Sequence, residues 1–341
     1  MRLSFIIIFL IIILTGVTKA AENSTVTLDQ ILENAVKQNP SIAAAYYDTQ
    51  AALTRPAQAA TPPDPEFMIE FKQVPIDTMD VNQGITKYMV QQQIPFPSKL
   101  VYGYKAEKHA AESKQSRENL AAQEIVREVK VAYYEAWRLQ EEEKINHQTL
   151  SIYNQNKGIS ETDYATLQRP AADPIRASVD LGEIEAQLVI LEQERLQAFA
   201  NLSSIIAEPL DPTTKIAPLP DPIPVAGLNE LLEKAKAQRP EITEAKHMVE
   251  SESAKLSLAK SQYAPDLTLR WGYINMPGNQ QNAWTGRIGL SIPLWSVSKQ
   301  RHGVRESKSM LNRARSIKQE AELNTEANVK STYAKLVGAK N

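Results

Sequence analysis

Two stretches decide how this chain reads: Gln91–Leu100, QQQIPFPSKL, and Leu290–Lys299, LSIPLWSVSK. In each, a run of extended character meets Ile-Pro, an aromatic residue follows within two positions, and Ser-Lys closes the stretch at 98–99 and 298–299. Proline lacks an amide hydrogen and so ends ladder pairing, and a serine is a good cap for a helix that begins next. The expectation is a strand converted to a helix at a fixed point, twice, with Ser98 and Ser298 as the caps.

The spacing of the two stretches belongs to a longer register. Sliding the chain on itself by 200 residues lays LDQILENAVKQNPSIAAA from Leu28 over LNELLEKAKAQRPEITEA from Leu228, with identity at Leu28, Leu32, Glu33, Ala35, Gln38, Pro40, Ile42 and Ala45. The same register holds at Pro65 with Pro265 and at Ser98-Lys99 with Ser298-Lys299. Such a period is too long for a solenoid repeat and predicts an internal duplication. Each half would open with a short helix, begun by a Thr27/Gln30 capping box or by Gly227, and interrupted at Pro40 or Pro240.

Between those helices and the proline junctions the hydrophobic period is two. In DLTLRWGYIN from Asp266, Leu267, Leu269, Trp271 and Tyr273 oppose Thr268, Arg270 and Gly272; in WTGRIGLSI from Trp284, Trp284, Ile288, Leu290 and Ile292 oppose Thr285, Arg287, Gly289 and Ser291. Phe67, Ile69 and Phe71 alternate with Glu70 and Lys72 in the first half, whose second strand, near Ile85 to Ile94, is weakened by Gln91, Gln92 and Gln93. Roughly nine residues is the length of a tilted membrane strand. A half-buried antiparallel hairpin in a soluble protein has the same pattern.

After each junction proline disappears, from Ser98 to Pro170 and from Ser298 to the end. Residues 99–166 are rich in Ala, Glu, Lys and Gln and predict one long helix of roughly 100 Å. Leu181, Ile184, Leu188, Leu191, Arg195, Ala198, Leu202 and Ile205 make a heptad stripe interrupted by Arg195; Ile125, Val129, Ala132, Ala136 and Leu139 keep the same spacing. The two segments are expected to pack antiparallel, turning near Tyr164 to Asp173. The fold class is mainly α with β: long coiled-coil hairpins plus paired strands.

Composition sets the setting. The 341 residues are 43% hydrophobic and 23% charged, as in a folded protein. Met1, Arg2, an apolar run and Thr18-Lys19-Ala20 read as a secretory signal, 1–20, whose removal leaves 36 basic against 40 acidic residues and no basis for nucleic-acid binding. Cysteine is absent, which excludes disulfides and a lipid-modified cysteine. No later segment approaches eighteen apolar residues, so the one membrane-spanning solution left is a closed β-barrel.

The order signal, LxxxLxxAxxxxP, hairpin, IPFPSK, long helical hairpin, stated twice, resembles the TolC-like outer membrane efflux proteins over nearly all of the chain after the signal. The PDPEFMIEF to IPFPSKL portion looks most like the heavy-metal efflux branch. The resemblance implies a homotrimer with four strands per copy in a twelve-stranded outer-membrane barrel of a Gram-negative cell. It also implies a periplasmic helical tunnel, a periplasmic adaptor and an inner-membrane pump as partners. The resulting layout is 21–208 as the first repeat, 209–227 as a Pro-rich linker and 228–341 as a second repeat that stops inside a helix. That incompleteness reads as a fragment, a frameshifted product or a decayed copy.

The adaptor-docking tip of the family aligns with YATLQRPAADPIRA: Leu167 and Gln168 on its Gly-Leu pair, Asp173 and Arg176 at the start of the returning helix. Leu167 replaces the glycine, and Asp173 also suits plain helix N-capping. Phe96, Trp271, Trp284 and Trp295 are candidate membrane-interface aromatics, with core packing as the alternative. Arg270 and Arg287 are candidate lumen residues. Met68, Met79 and Met89 suit packing better than soft-metal binding, and Glu141-Glu142-Glu143 reads as a solvated helix face rather than a tunnel lining. His109, His147, His247 and His302 read as scattered, without paired-ligand spacing. No catalytic constellation, resident metal or cofactor is expected. The rival readings are a periplasmic adaptor and a non-functional remnant.

Overall fold

The structure, a computed structural model, describes residues 25–168, 170–218 and 225–340. The expected leader lies outside them, as does part of the Pro-rich segment. In chain order the elements are β1 (Thr25–Val26), α1 (Leu28–Gln38), α2 (Pro40–Ala60), β2 (Glu66–Lys72), β3 (Ile85–Ile94), α3 (Pro97–Ala165), α4 (Ala172–Ile206), β4 (Lys215–Ile216), α5 (Leu228–Gln238), α6 (Pro240–Ser261), β5 (Asp266–Asn275), β6 (Ala283–Ser291) and α7 (Gln300–Lys340). Helix predominates, and the series short helix, longer helix, two strands, long helix occurs twice. No helix among the described residues is long and apolar enough to cross a membrane.

The helix boundaries follow local chemistry. At the start of α1 the Thr27 amide donates to Gln30 Oε1 at 3.1 Å and the Gln30 amide to Thr27 Oγ1 at 3.4 Å, the capping box expected from the sequence. Between α1 and α2, Asn39 is extended, its side chain accepts from the Ser41 amide, and Pro40 takes the first helical position. Pro240 does the same for α6. The ring's fixed φ suits that position and its missing amide costs nothing there.

The chain divides into two compact units. One comprises 25–35 and 128–218 of the described residues, and so holds the second part of α3 together with α4. Its core is the expected seam: Val129, Ala132, Ala136 and Leu139 are buried, as are Leu181, Leu191 and Leu202, joined by Phe199 and Ile206. Arg195, the polar interruption, lies 3.5 Å from Glu143 across the helix pair. Glu142 pairs with Arg138, and Glu141 lies 3.3 Å from Lys144. The acidic triplet is thus a partly exposed surface whose carboxylates are ion-paired.

Tyr133 anchors the chain ends of this unit. Its ring is 2% exposed, and its hydroxyl donates to the carbonyls of Val26 at 3.3 Å and Ala217 at 3.2 Å, beside the short parallel pairing of β1 with β4. Gln140, two turns on, accepts from the Ile216 amide at 2.8 Å and donates to its carbonyl at 3.2 Å. Burial pushes the Tyr133 phenol up, which keeps it a donor.

The second unit comprises 36–127 and 225–340, with α2, α6, α7, the first part of α3 and the four-stranded sheet. Its helix contacts are made by small residues: Ala52, Ala106, Ala111, Ala245, Ala254 and Ala314 are all buried. Close backbone approach brings hydroxyls onto facing carbonyls, Ser251 onto Ala106 at 2.9 Å and Thr49 onto Lys114 at 3.3 Å. The Lys114 ammonium in turn lies 3.1 Å from Asp48. β2, β3, β5 and β6 form one antiparallel sheet in that order.

Replacing Tyr133 by Phe leaves the Ala217 carbonyl without its buried donor, a cost of about 1–2 kcal/mol. The Ala217 amide, which donates to Val26, is then expected to exchange with solvent deuterium roughly 5–30 times faster. Exchange at the parent rate would show that the hydroxyl does not hold these strands.

Candidate functional site

Alternation and register together give the sheet two unlike faces. Phe67 pairs with Val90, Ile69 with Tyr88, Val90 with Trp271, Tyr88 with Tyr273, Leu269 with Ile288 and Tyr273 with Trp284, so these side chains share one face. Most of it is exposed: Phe67 and Trp271 are each 65% accessible and Ile288 is 77% accessible. The aromatic rings pack on each other within this face. Trp271 stacks on Trp284 at 5.3 Å, and Tyr273 meets Trp284 edge-on at 5.2 Å. Gln92 is a polar residue on this face, as are Thr86 and Asn275 at its far end, and the Gln92 amide donates to the Pro63 carbonyl at 2.7 Å and the Gln93 carbonyl at 2.8 Å.

The opposite face is polar and is crossed by a continuous row. Glu66 pairs with Gln91, Gln91 with Arg270 and Arg270 with Arg287, one residue per strand. Gln91 donates to Glu66 at 3.4 Å, and its carbonyl oxygen accepts from Arg270 Nε at 2.9 Å. Arg270 and Arg287 therefore share the polar face expected of them. Directly opposed like charges are unfavourable unless water or an acceptor screens them, and Gln91 supplies that acceptor for Arg270. Gln91 does more here than weaken an alternation.

Beside that row Met89 covers Gly272. A Cβ on Gly272 would lie 2.6 Å from the Tyr88 carbonyl oxygen and 2.7 Å from Met89 Cγ, so the close strand approach requires glycine. Met68 pairs with Met89 in register, whereas Met79 sits in the hairpin loop, exposed and at φ 49°. The three methionines do not converge.

The strand-to-helix junctions differ from expectation in their caps. β3 ends at Ile94, but α3 begins at Pro97, so Pro97 fills the first helical position and Ser98 lies inside the first turn. The Phe96 carbonyl accepts from the Lys99 amide at 2.8 Å, and the Phe96 amide donates to Asp266 Oδ1 at 2.8 Å. The Lys99 ammonium reaches the same oxygen at 2.7 Å and is largely buried. Ser298 caps nothing either: its hydroxyl donates to the Trp295 carbonyl at 3.2 Å in the turn that precedes α7. At the first junction, proline geometry and a lysine on a carboxylate do what serine was expected to do; at the second, Pro293 lies within the stretch that precedes α7, which begins at Gln300.

Of the four candidate interface aromatics, Phe96 and Trp295 are exposed at the junctions and Trp284 sits near the start of β6. Trp271 lies mid-strand, away from either end.

The tip between α3 and α4 is solvent-exposed, with Leu167 91% accessible and Gln168 and Arg176 also exposed. Leu167 adopts φ 61°, its amide donates to the Tyr164 carbonyl, and the Gln168 amide donates to the Asp163 carbonyl at 2.8 Å. That is a Schellman stop with leucine where the left-handed conformation favours glycine. Asp173 is inside the first turn of α4, and Ala171 is the cap; the carboxylate therefore acts on the helix dipole instead of capping.

The histidines also depart from expectation. His109 and His247 are not scattered: each stands three residues before a glutamate, Glu112 or Glu250, and the two pairs meet with His109 Nδ1 2.7 Å from Glu112 and His247 Nδ1 3.0 Å from Glu250. The signal in the sequence was His-x-x-Glu stated twice, which a search for paired histidines passes over.

No protein-family model and no curated protein matches the sequence. Solved structures do. The chain is similar to the outer-membrane channel OprN, with a TM-score of 0.73 and 19% identity over 90% of this chain and 74% of that one. It is similar to the outer membrane protein VceC of Vibrio cholerae, with a TM-score of 0.70 and 17% identity over 87% and 75%. The open-state MtrE outer membrane channel of Neisseria gonorrhoeae gives 0.64 and 15% over 90% and 71%. The likeness is one of fold: this chain shares the architecture of outer-membrane channels, as its resemblance to TolC-like proteins implied.

Changing Leu167 to Gly removes a left-handed strain of about 1–2 kcal/mol, partly offset by the freer unfolded chain. The Gln168 amide is expected to exchange roughly two- to fivefold more slowly in the variant. Faster exchange would mean that the leucine side chain holds the tip together.

Proposed function

We propose that this protein is a TolC-like subunit of an outer-membrane efflux conduit in a Gram-negative bacterium. Three copies would each give four strands to a single closed barrel, and the helical hairpins would form the periplasmic tunnel. The observation that supports this reading is the sheet: one exposed apolar face, one polar face, and two edges, β2 and β6, without a strand partner among the described residues. A soluble monomer rarely exposes so large an apolar face, and strands in lipid must close their edges. Strands of 9 and 10 residues in β6, β3 and β5 suit the span.

On this reading the apolar face meets lipid, Phe96, Trp284 and Trp295 lie toward the boundaries, and Arg270 and Arg287 face the lumen. The two halves of the chain are copies of one ancestral unit. The tip with Leu167, Gln168, Asp173 and Arg176 docks a periplasmic adaptor, which links the conduit to an inner-membrane pump. Passage is passive and the pump supplies the energy; the chain performs no catalysis. Heavy-metal ions are the cargo that the PDPEFMIEF to IPFPSKL portion favours. An adaptor or a decayed remnant would leave the aromatic face of the sheet in water.

Barrel closure makes a register prediction. Within the chain Gln91 pairs with Arg270; moving each partner by the offset of 200 pairs residue 291 of one copy with residue 70 of the next. The native chain has no cysteine, so a Glu70→Cys, Ser291→Cys variant has a clean background. In outer-membrane fractions, mild oxidation is expected to give covalent dimers and trimers on non-reducing gels. Either single variant should stay monomeric. A double variant that remains monomeric under the same oxidation would overturn the ring.

A further inference from the structure

Outside the sheet, the densest group of ligand-type side chains in the second unit is His109 and Glu112 on α3 with His247 and Glu250 on α6. We infer that these four residues form a binding site for a divalent first-row transition-metal ion such as Zn2+. This rests on the side-chain geometry and holds independently of the conduit reading.

Each pair is spaced by three residues on a helix, which puts histidine and glutamate on one face a turn apart. Four atoms face inward. Glu112 Oε2 lies 2.7 Å from His109 Nδ1 and 3.4 Å from His247 Nδ1. Glu250 Oε2 lies 3.0 Å from His247 Nδ1 and 3.4 Å from His109 Nδ1. The result is a closed quadrilateral of two nitrogens and two oxygens, all within 4.8 Å of one another.

Ligands about 2.0–2.1 Å from a tetrahedral zinc stand about 3.3 Å apart; the four nitrogen–oxygen edges, 2.7–3.4 Å, bracket that value, and rotamer adjustment brings the other two separations, which lie within 4.8 Å, to it. Two carboxylates with two neutral imidazoles carry a charge that a dication cancels. Imidazole with carboxylate suits Zn2+, Cu2+ or Ni2+ and is too hard a set for Cu(I).

Position supports the site as well as donor type. The Ser251 hydroxyl, next to Glu250, holds the Ala106 carbonyl, one turn before His109, at 2.9 Å, which fixes the helix spacing at the quartet. All four side chains are between 23% and 37% accessible, so an ion can enter from solvent. Lys108 approaches Glu112 at 3.9 Å through Oε1 and leaves Oε2 to the site. Because α3 follows β3 and α6 precedes β5, the ion would join the two helices that extend from neighbouring strands, about 18 Å along α3 from its start.

The competing account is a pair of histidine–glutamate hydrogen-bonded contacts with no ion. Purified full-length protein in detergent, stripped with chelator and dialysed against Zn2+, is expected to retain one zinc per chain by elemental analysis. With Co2+ it should show the intense visible bands of tetrahedral coordination. A His109→Gln, His247→Gln variant should bind zinc at least 100-fold more weakly, while His147→Gln and His302→Gln bind as the parent does. Zinc-edge X-ray absorption on the parent protein should show two nitrogen and two oxygen ligands, which tests the site even if the double variant misfolds. Failure of the parent to retain zinc, unchanged affinity in the double variant, or a different ligand set would each overturn the assignment.

Discussion

Backbone polarity is the constraint on which the rest depends. Every amide and carbonyl in a strand needs a partner, and water is a sufficient partner only where water can reach. In this sheet the inner strands β3 and β5 are paired on both sides, while β2 and β6 each present an edge without a strand partner among the described residues, beside a face of Phe, Ile, Tyr, Trp and Leu. An apolar face would be covered by a soluble partner; an open edge would be covered by another strand. Lipid on the face and a neighbouring copy on the edges satisfy both demands together, because closure is the one way for strands to live in hydrocarbon. On the proposed arrangement, the polar row from Glu66 through Gln91 and Arg270 to Arg287 would fall on the wet side.

The junction from β3 to α3 shows how one short peptide can end a strand and begin a helix. Proline removes the donor that the ladder no longer needs at residue 95 and the donor that the helix does not need at residue 97. Asp266, at the first position of β5, accepts from both the Phe96 amide and the Lys99 ammonium, so the turn out of β3 is tied to the entry of β5. A largely buried pair of this kind is weak evidence for net stability; what the geometry shows is a fixed connection. It fixes where α3 leaves the sheet.

Much of this was legible from the residues because period and proline are local signals. Alternation at Leu267 to Tyr273 located β5, the seam from Leu181 to Ile205 located the buried side of α4, and Thr27 with Gln30 located the start of α1. What was not legible depended on geometry that composition does not encode. Ser98 is a good cap residue, yet the adjacent Pro97 fits the first helical position and moves the boundary two residues earlier than a Ser98 cap would set it. Leu167 gives no sign in the sequence of its left-handed φ, since the conformation is imposed by the turn and not by leucine. His109 and His247 are 138 positions apart, and only the packing of α3 on α6 turns two ordinary His-x-x-Glu spacings into one quartet.

The offset of 200 carries one step further at the level of ion pairs. Lys99 corresponds to Lys299, and its partner Asp266 corresponds to Glu66, an acid at the equivalent strand start. Within the chain the first pair closes at 2.7 Å. The second pair belongs to the opposite edges of the sheet, because Glu66 begins β2 and Lys299 follows β6. In a ring of copies those edges meet, and Lys299 of one copy would stand to Glu66 of the next as Lys99 stands to Asp266. On the proposed arrangement, the contact that ties β5 to the turn out of β3 within the chain would be repeated between neighbouring chains, and the wall would be built from a single kind of joint.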